Sequence, residues 1–222
     1  MNPRSALDAG RLSLLLFVAV SLVLVFACGG DEEEASLTPA TTTAAPLTAA
    51  ANCPASSGIP PEVQVKSYPQ RPPLTIDVTH QFIAHIYTTR GHFIMELLPG
   101  IAPEHVNSFV FLARDKFFNG TEFHRVVPGF VAQGGDPTGT GSGGPGYNVP
   151  LEPSDEPFVR GVVGMARAAE PDSAGSQWFV TLGDSRHLDG QYTVFGKVTE
   201  GMEIVDCIQI GDAIITLDIQ EI

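Results

Sequence analysis

The chain has 222 residues, 43% hydrophobic and 17% charged, with 25 acidic against 12 basic side chains and a formal charge of −13. That length suits one ordinary domain with appendages, and the apolar content suffices for a core. The charge balance argues against a nucleic-acid backbone as partner, which needs a basic footprint. Three cysteines are too few and too far apart for a disulfide scaffold or a Cys-based zinc site.

At the front, Arg4 and Arg11, offset by Asp8, flank the approach to an apolar run from Leu12 to Ala27 broken only by Ser13 and Ser21. As a helix this run would be about 24 Å long, short for a ~30 Å hydrocarbon core and suited to a signal-peptide core. It ends in Val25-Phe26-Ala27-Cys28-Gly29. A small residue before a cysteine at this place resembles the lipobox of bacterial lipoproteins, which implies lipidation of Cys28 and an extracytoplasmic, membrane-anchored mature chain. An uncleaved signal anchor is the alternative; the short run, stopping at the cysteine, favours the lipoprotein form.

The acidic run Asp31–Glu34 and the Thr/Ala/Pro-rich stretch to Ala51 have no apolar period to offset the entropy of ordering. They read as a flexible tether. Pro54, Pro60, Pro61, Pro69, Pro72 and Pro73 then favour an extended, strap-like chain. Whether Cys53 in this strap pairs with Cys207 is left open, because sequence does not test the geometry. The expected organisation is a signal peptide over 1–27, tether and strap over 28–73, and a folded domain over 74–222.

From Leu74 the texture changes. Phe82–Thr89 and His92–Leu97 are β-rich runs around Arg90-Gly91, a hairpin signature. Pro103-Glu104 opens a helix whose stripe is Val106, Phe109, Val110, Ala113 and Phe117. A shorter helix is expected over Met202–Ile208, and short strands over Gly161–Ala166, Gln177–Leu182, Thr193–Val198 and Ile214–Ile219. Many short strands with two helices predict a mainly β fold, a closed barrel capped by helices.

The most informative block is Phe123-His124-Arg125-Val126-Val127-Pro128-Gly129-Phe130-Val131-Ala132-Gln133-Gly134-Gly135-Asp136, followed by a Gly-rich tract from Gly139 to Gly146. Gly164–Ala168, Gly175–Val180 and Leu188–Gly196 follow in order. Together these motifs closely resemble the cyclophilin family of peptidyl-prolyl cis/trans isomerases, from about Gln81 to the end of the chain. The resemblance implies an eight-stranded antiparallel barrel with a helix closing each end. It also implies that Arg125 is the catalytic arginine, held by Gln133, and that Phe130, Val131, Phe179 and Leu188 line an apolar pocket for the proline ring. Ala166, Arg167 and Ala168 match the edge that pairs with the peptide backbone. Gln177 matches a glutamine contacting the substrate, and Gly141 a glycine of the neighbouring groove.

Departures from the family pattern fall inside the same set. Val131 replaces a common methionine, Tyr192 a histidine, and Arg167 an asparagine. His187 stands where cyclosporin-sensitive members carry tryptophan, so tight cyclosporin binding is not expected. The reaction implied breaks no bond, so no cofactor and no metal is expected. His124 is read as structural, and Asp136 and Asp189 as turn residues. The expected partners are proline-containing unfolded or flexible polypeptides and, through the anchor, a membrane; the chain is expected to be monomeric. Rival readings are a module that docks proline segments without turnover and a structural envelope protein. The Arg125–Gln133 pair favours the enzyme over both.

Overall fold

Alternation decides the first two strands. In β1 (Phe82–Thr88) the side chains of Phe82, Ala84, Ile86 and Thr88 point inward, and in β2 (Gly91–Leu97) those of Phe93, Met95 and Leu97 do. The two form an antiparallel hairpin in which Phe82 faces Leu97 and Thr88 faces Gly91, as the sequence predicts. The computed structural model describes residues 52–222. The expected signal peptide, Cys28 and the expected tether as far as Ala51 lie outside the described residues.

Helix α1 (Pro103–Arg114) follows. Its buried face includes Val106, Phe109, Val110 and Ala113, the predicted stripe. It stops a turn before Phe117, because Lys116 takes a left-handed backbone, φ 59°. Phe117 is nevertheless fully buried, from the turn rather than the helix. The first turn of α1 lacks a side-chain cap of its own. Glu152 supplies one from afar, accepting from the N–H groups of Glu104 and His105 at 3.0 Å each, with His105 Nδ1 2.6 Å from Oε2. A carboxylate suits that end of a helix.

β3 (Arg125–Val127), β4 (Val131–Gly134), β5 (Val162–Met165), β6 (Trp178–Thr181), β7 (Val194–Glu200), α2 (Met202–Cys207) and β8 (Ile214–Glu221) complete the order. All the pairings are antiparallel, in one sheet ordered β3-β4-β6-β5-β7-β2-β1-β8. The eight antiparallel strands and two helices are those expected, but the closed barrel is not: the strand ladder curves into a half-barrel, open between β3 and β8. β3 is too short to complete a ladder. Near it in sequence, Glu122 makes isolated bridges to Asp136 and to Ala213, the latter flanked by Phe123 N–H to Asp212 C=O at 2.8 Å.

The main core gathers Trp178 with Phe82, Phe93, Phe109, Phe118, Phe123 and Phe195. A smaller cluster of Val131, Phe158, Phe179, Leu188 and Val194 sits apart from it and underlies the candidate site. The strap from Asn52 lies on the outside of this body. Cys53 and Cys207 form a disulfide, with Cα atoms 5.4 Å apart, which resolves the pairing left open by sequence. Pro54 C=O accepts from Arg90 Nη1 at 2.9 Å, and Tyr68 OH donates to Asp115 Oδ2 at 2.6 Å.

Three carboxylates anchor this architecture from buried or half-buried positions. Burial pushes each of Glu152, Asp136 and Asp212 up, but hydrogen bonds outweigh it: from His105 and two N–H groups on Glu152, from Thr138, Gly141 and Gly143 on Asp136, and from Arg90 and Gln209 N–H on Asp212. All three therefore titrate below the usual carboxylate range when folded. Their stabilisation is complete above the unfolded value near 4 and disappears as pH falls through the lower folded values. We expect a level melting temperature from pH ~7 to ~5 and a drop of about 10 °C or more by pH ~3, read by thermal unfolding. A midpoint that stayed level to that pH would remove these groups as stabilisers.

Candidate active site

Register builds the site. β3 and β4 pair so that Arg125 stands directly opposite Gln133. Cross-strand partners share a face, and here Arg125 Nη1 donates to Gln133 Oε1 at 3.3 Å. Gln133 Nε2 donates to Gln177 Oε1 at 3.0 Å, and Gln177 Nε2 to the Gly143 carbonyl at 2.9 Å. The arginine is thus tied through two glutamines to the Gly-rich loop. Its guanidinium carbon also lies 5.6 Å from the centre of the Phe130 ring.

Beneath this line opens a pocket of about 150 Å³, lined by Arg125, Phe130, Val131, Gln133, Ala166, Arg167, Phe179, Leu188 and Tyr192. Its apolar walls come from the smaller core cluster, so the floor is fixed by packing; Phe179 meets Tyr192 edge-on at 5.9 Å and stacks on Phe158 at 5.7 Å. Gly164 in β5 is required by that stack: a Cβ there would stand 2.6 Å from both phenylalanine rings.

The remaining predicted residues fall beside the pocket. Gly141, Ala168 and Gln177 line an adjoining groove of about 570 Å³, which also touches Gln133, Ala166 and Arg167. His187 lines neither cavity; it is exposed and stacks on Phe130 at 5.4 Å, supporting that ring from outside. Along the expected pairing edge, Ala166 N–H donates to Gln177 C=O and Ala168 N–H to Ser173 Oγ, both at 2.9 Å. That leaves the Arg167 N–H as the donor of the segment without an acceptor among the described residues.

Two contributors lie outside the sequence expectations. Asp136 is more than a turn residue: its buried carboxylate accepts from Thr138 N–H at 2.7 Å, Gly141 N–H at 2.7 Å and Gly143 N–H at 3.0 Å, so it sets the loop that meets Gln177. An aspartate opening a glycine-rich tract carries that signal. The strap, in turn, supplies Ser67 to the groove wall. Tyr68 N–H donates to Pro145 C=O at 2.8 Å, and Gly146, with φ +90°, leaves room that a Cβ would close to 2.4 Å from Ser67 Oγ.

A charged donor held at the rim of a pocket with apolar walls, beside a groove with a backbone edge, is the arrangement of a cyclophilin-like fold. The comparisons agree. Residues 83–218 match the family model described as cyclophilin type peptidyl-prolyl cis-trans isomerase/CLD. A peptidyl-prolyl cis-trans isomerase of Helicobacter pylori (strain ATCC 700392 / 26695) is 48% identical over 135 residues, covering 59% of this chain and 82% of that protein. Peptidyl-prolyl cis-trans isomerase B of Bacillus subtilis (strain 168) is 46% identical over 132 residues, 55% of this chain and 92% of the relative. Among solved structures, a cyclophilin type isomerase of Cryptosporidium parvum, crystallised in the presence of dipeptide Ala-Pro, superposes with a TM-score of 0.57 at 33% identity, over 62% of this chain and 96% of its own. The chain belongs to the cyclophilin-type peptidyl-prolyl cis-trans isomerase family, and peptidyl-prolyl cis-trans isomerisation is its activity class.

Proposed function

We propose that this isomerase is a lipid-anchored, extracytoplasmic folding catalyst that turns X–Pro bonds in unfolded or flexible proteins, with Arg125 as the catalytic donor. The observation that carries the site assignment is the hydrogen-bonded line Arg125–Gln133–Gln177–Gly143 set over the apolar pocket. The anchor rests on the Leu12–Cys28 sequence pattern. The Ala-Pro dipeptide in the related structure supports proline-containing substrates.

The chemistry follows from the peptide bond. Rotation about C–N is opposed by about 18–20 kcal/mol of resonance, and uncatalysed X–Pro exchange takes tens to hundreds of seconds. A donor aimed at the prolyl nitrogen favours the pyramidal form, in which that resonance is lost. Arg125 stays charged and donates directionally. With the ring seated against Val131, Phe179 and Leu188, water is excluded and the hydrogen bond strengthens. Gln133 holds the guanidinium in place beforehand, so little reorganisation is needed as the bond turns. Acceleration by ~10⁵ would need about 7 kcal/mol off the barrier.

Two measurements test the folding and anchoring parts. Catalytic amounts of the full-length chain should shorten the slow refolding phase of a client limited by a native cis-proline by about tenfold or more. Cys28→Ala should shift the protein expressed in a bacterial host from the detergent phase to the aqueous phase. An unchanged slow phase would exclude the folding role, and unchanged partition would exclude Cys28 as anchor.

A further inference from the structure

Two cavities meet at Arg167, which lines both the ring pocket and the larger groove. Its guanidinium is held on several sides. Nε donates to Gln191 C=O, and Nη1 to the carbonyls of Ala168 and Ala169, each at 3.0 Å. The Tyr192 ring centre lies 4.7 Å from the guanidinium carbon. Nη2 has no partner among the described residues, and none of their ion pairs includes Arg167. Neither cavity has an aspartate or glutamate in its lining. The acidic residues that follow on the same loop, Glu170 and Asp172, are both exposed and line neither cavity; Asp172 Oδ1 accepts from Leu151 N–H at 3.0 Å.

This is a cation preorganised by packing and carbonyls, with a donor left over, in a chain of formal charge −13. The two electrostatic effects have opposite signs. The field of the whole protein favours basic polypeptides, but it is screened beyond about 8 Å at physiological ionic strength. At contact distance the only charged groups in the two linings are Arg125 and Arg167. With Arg125 donating to the prolyl nitrogen as proposed above, that nitrogen and the residue bonded to it lie on the side of Arg125 and Gln133, and Gln133 also lines the groove. The client residues preceding proline therefore enter the groove past Arg167.

We infer that Arg167 is a specificity-determining residue, selecting clients with a carboxylate within two positions on the amino side of the proline. The inference rests on the isomerase site proposed above. A fixed guanidinium gives up little rotamer freedom on pairing with such a carboxylate.

The test is kcat/KM of the full-length chain on short X–Pro peptides carrying Glu, Gln or Lys at X or one position before it. At 0.15 M salt the Glu peptides should exceed the Lys peptides by about fivefold, with Gln between, the size expected for a partly exposed ion pair. At 1 M salt, where screening reaches ~3 Å, the ratio should fall towards one. Arg167→Glu should reverse the order. Equal turnover of all three peptides, or a preference for Lys at 0.15 M salt, would overturn the inference while leaving the isomerase reading intact. The salt series reads the same effect if the variant does not fold. Acceleration of no peptide at all would overturn the isomerase site itself, and the selectivity with it.

Discussion

Arg125→Ala is expected to lower kcat/KM for X–Pro exchange by about 10²–10³-fold, the loss typical when a preorganised donor is removed. The fold should not notice. Arg125 is exposed, makes no ion pair among the described residues, and has one side-chain hydrogen bond, to Gln133. Its melting temperature should therefore stay within about 2 °C of the parent, as for a surface substitution of ±0.5 kcal/mol. Gln133→Ala should cost less, about tenfold, because it leaves the guanidinium present but free to wander; a hydrogen bond from a charged donor is worth about 1.5 kcal/mol. A folded Arg125→Ala protein that retained the parent rate in a cis/trans exchange assay would falsify the assignment of the donor.

Near neutral pH, the largest effect on stability is expected from reducing the Cys53–Cys207 bridge. The cysteines are 154 residues apart in sequence, and closing a loop of that length in the unfolded chain is worth at most about 5 kcal/mol. Part of the strap stays attached after reduction, through Ser57 N–H to Thr89 C=O and through Tyr68 to Asp115, and the measured range for disulfides centres lower. We expect a loss of about 3 kcal/mol, seen as a fall in melting temperature of about 10 °C. Cys207→Ser should reproduce it without reductant. A melting temperature unmoved by reduction, with both thiols titrated, would show that the bridge constrains nothing that unfolding releases.

Pattern alone reached only some of these elements. The β1–β2 hairpin was legible because one face is buried and the other wet, so alternation survives in the sequence. β3 has no such alternation; its three residues run exposed, half-buried, exposed, and only the motif around Arg125 marked its place. The α1 boundary was missed by a turn because Phe117 keeps the apolar period after the backbone has left the helix. The open edge at β3 was invisible for a related reason, since nothing in a three-residue strand states what lies across from it. Family resemblance found the site residues, and the geometry then sorted them: nine surround the ring pocket, whereas Gly141, Ala168 and Gln177 belong to the groove and His187 to the back of Phe130. Ser67 and Tyr68 carried no signal, because a strap acquires its role from the surface on which it happens to lie.

The same bridge settles how the domain bears a mechanical load. Tension applied at Asn52 crosses the sulfurs one residue later and enters the end of α2. The strap from Pro54 onward is then slack, a loop outside the line of force, and the wall it gives the groove at Ser67 is undisturbed. Open the bridge and the line of force runs along the strap instead. The Pro54–Arg90, Ser57–Thr89 and Tyr68–Asp115 contacts are then loaded one after another, the arrangement in which attachments peel. In a pulled molecule it is the bridge that keeps the load off the groove wall.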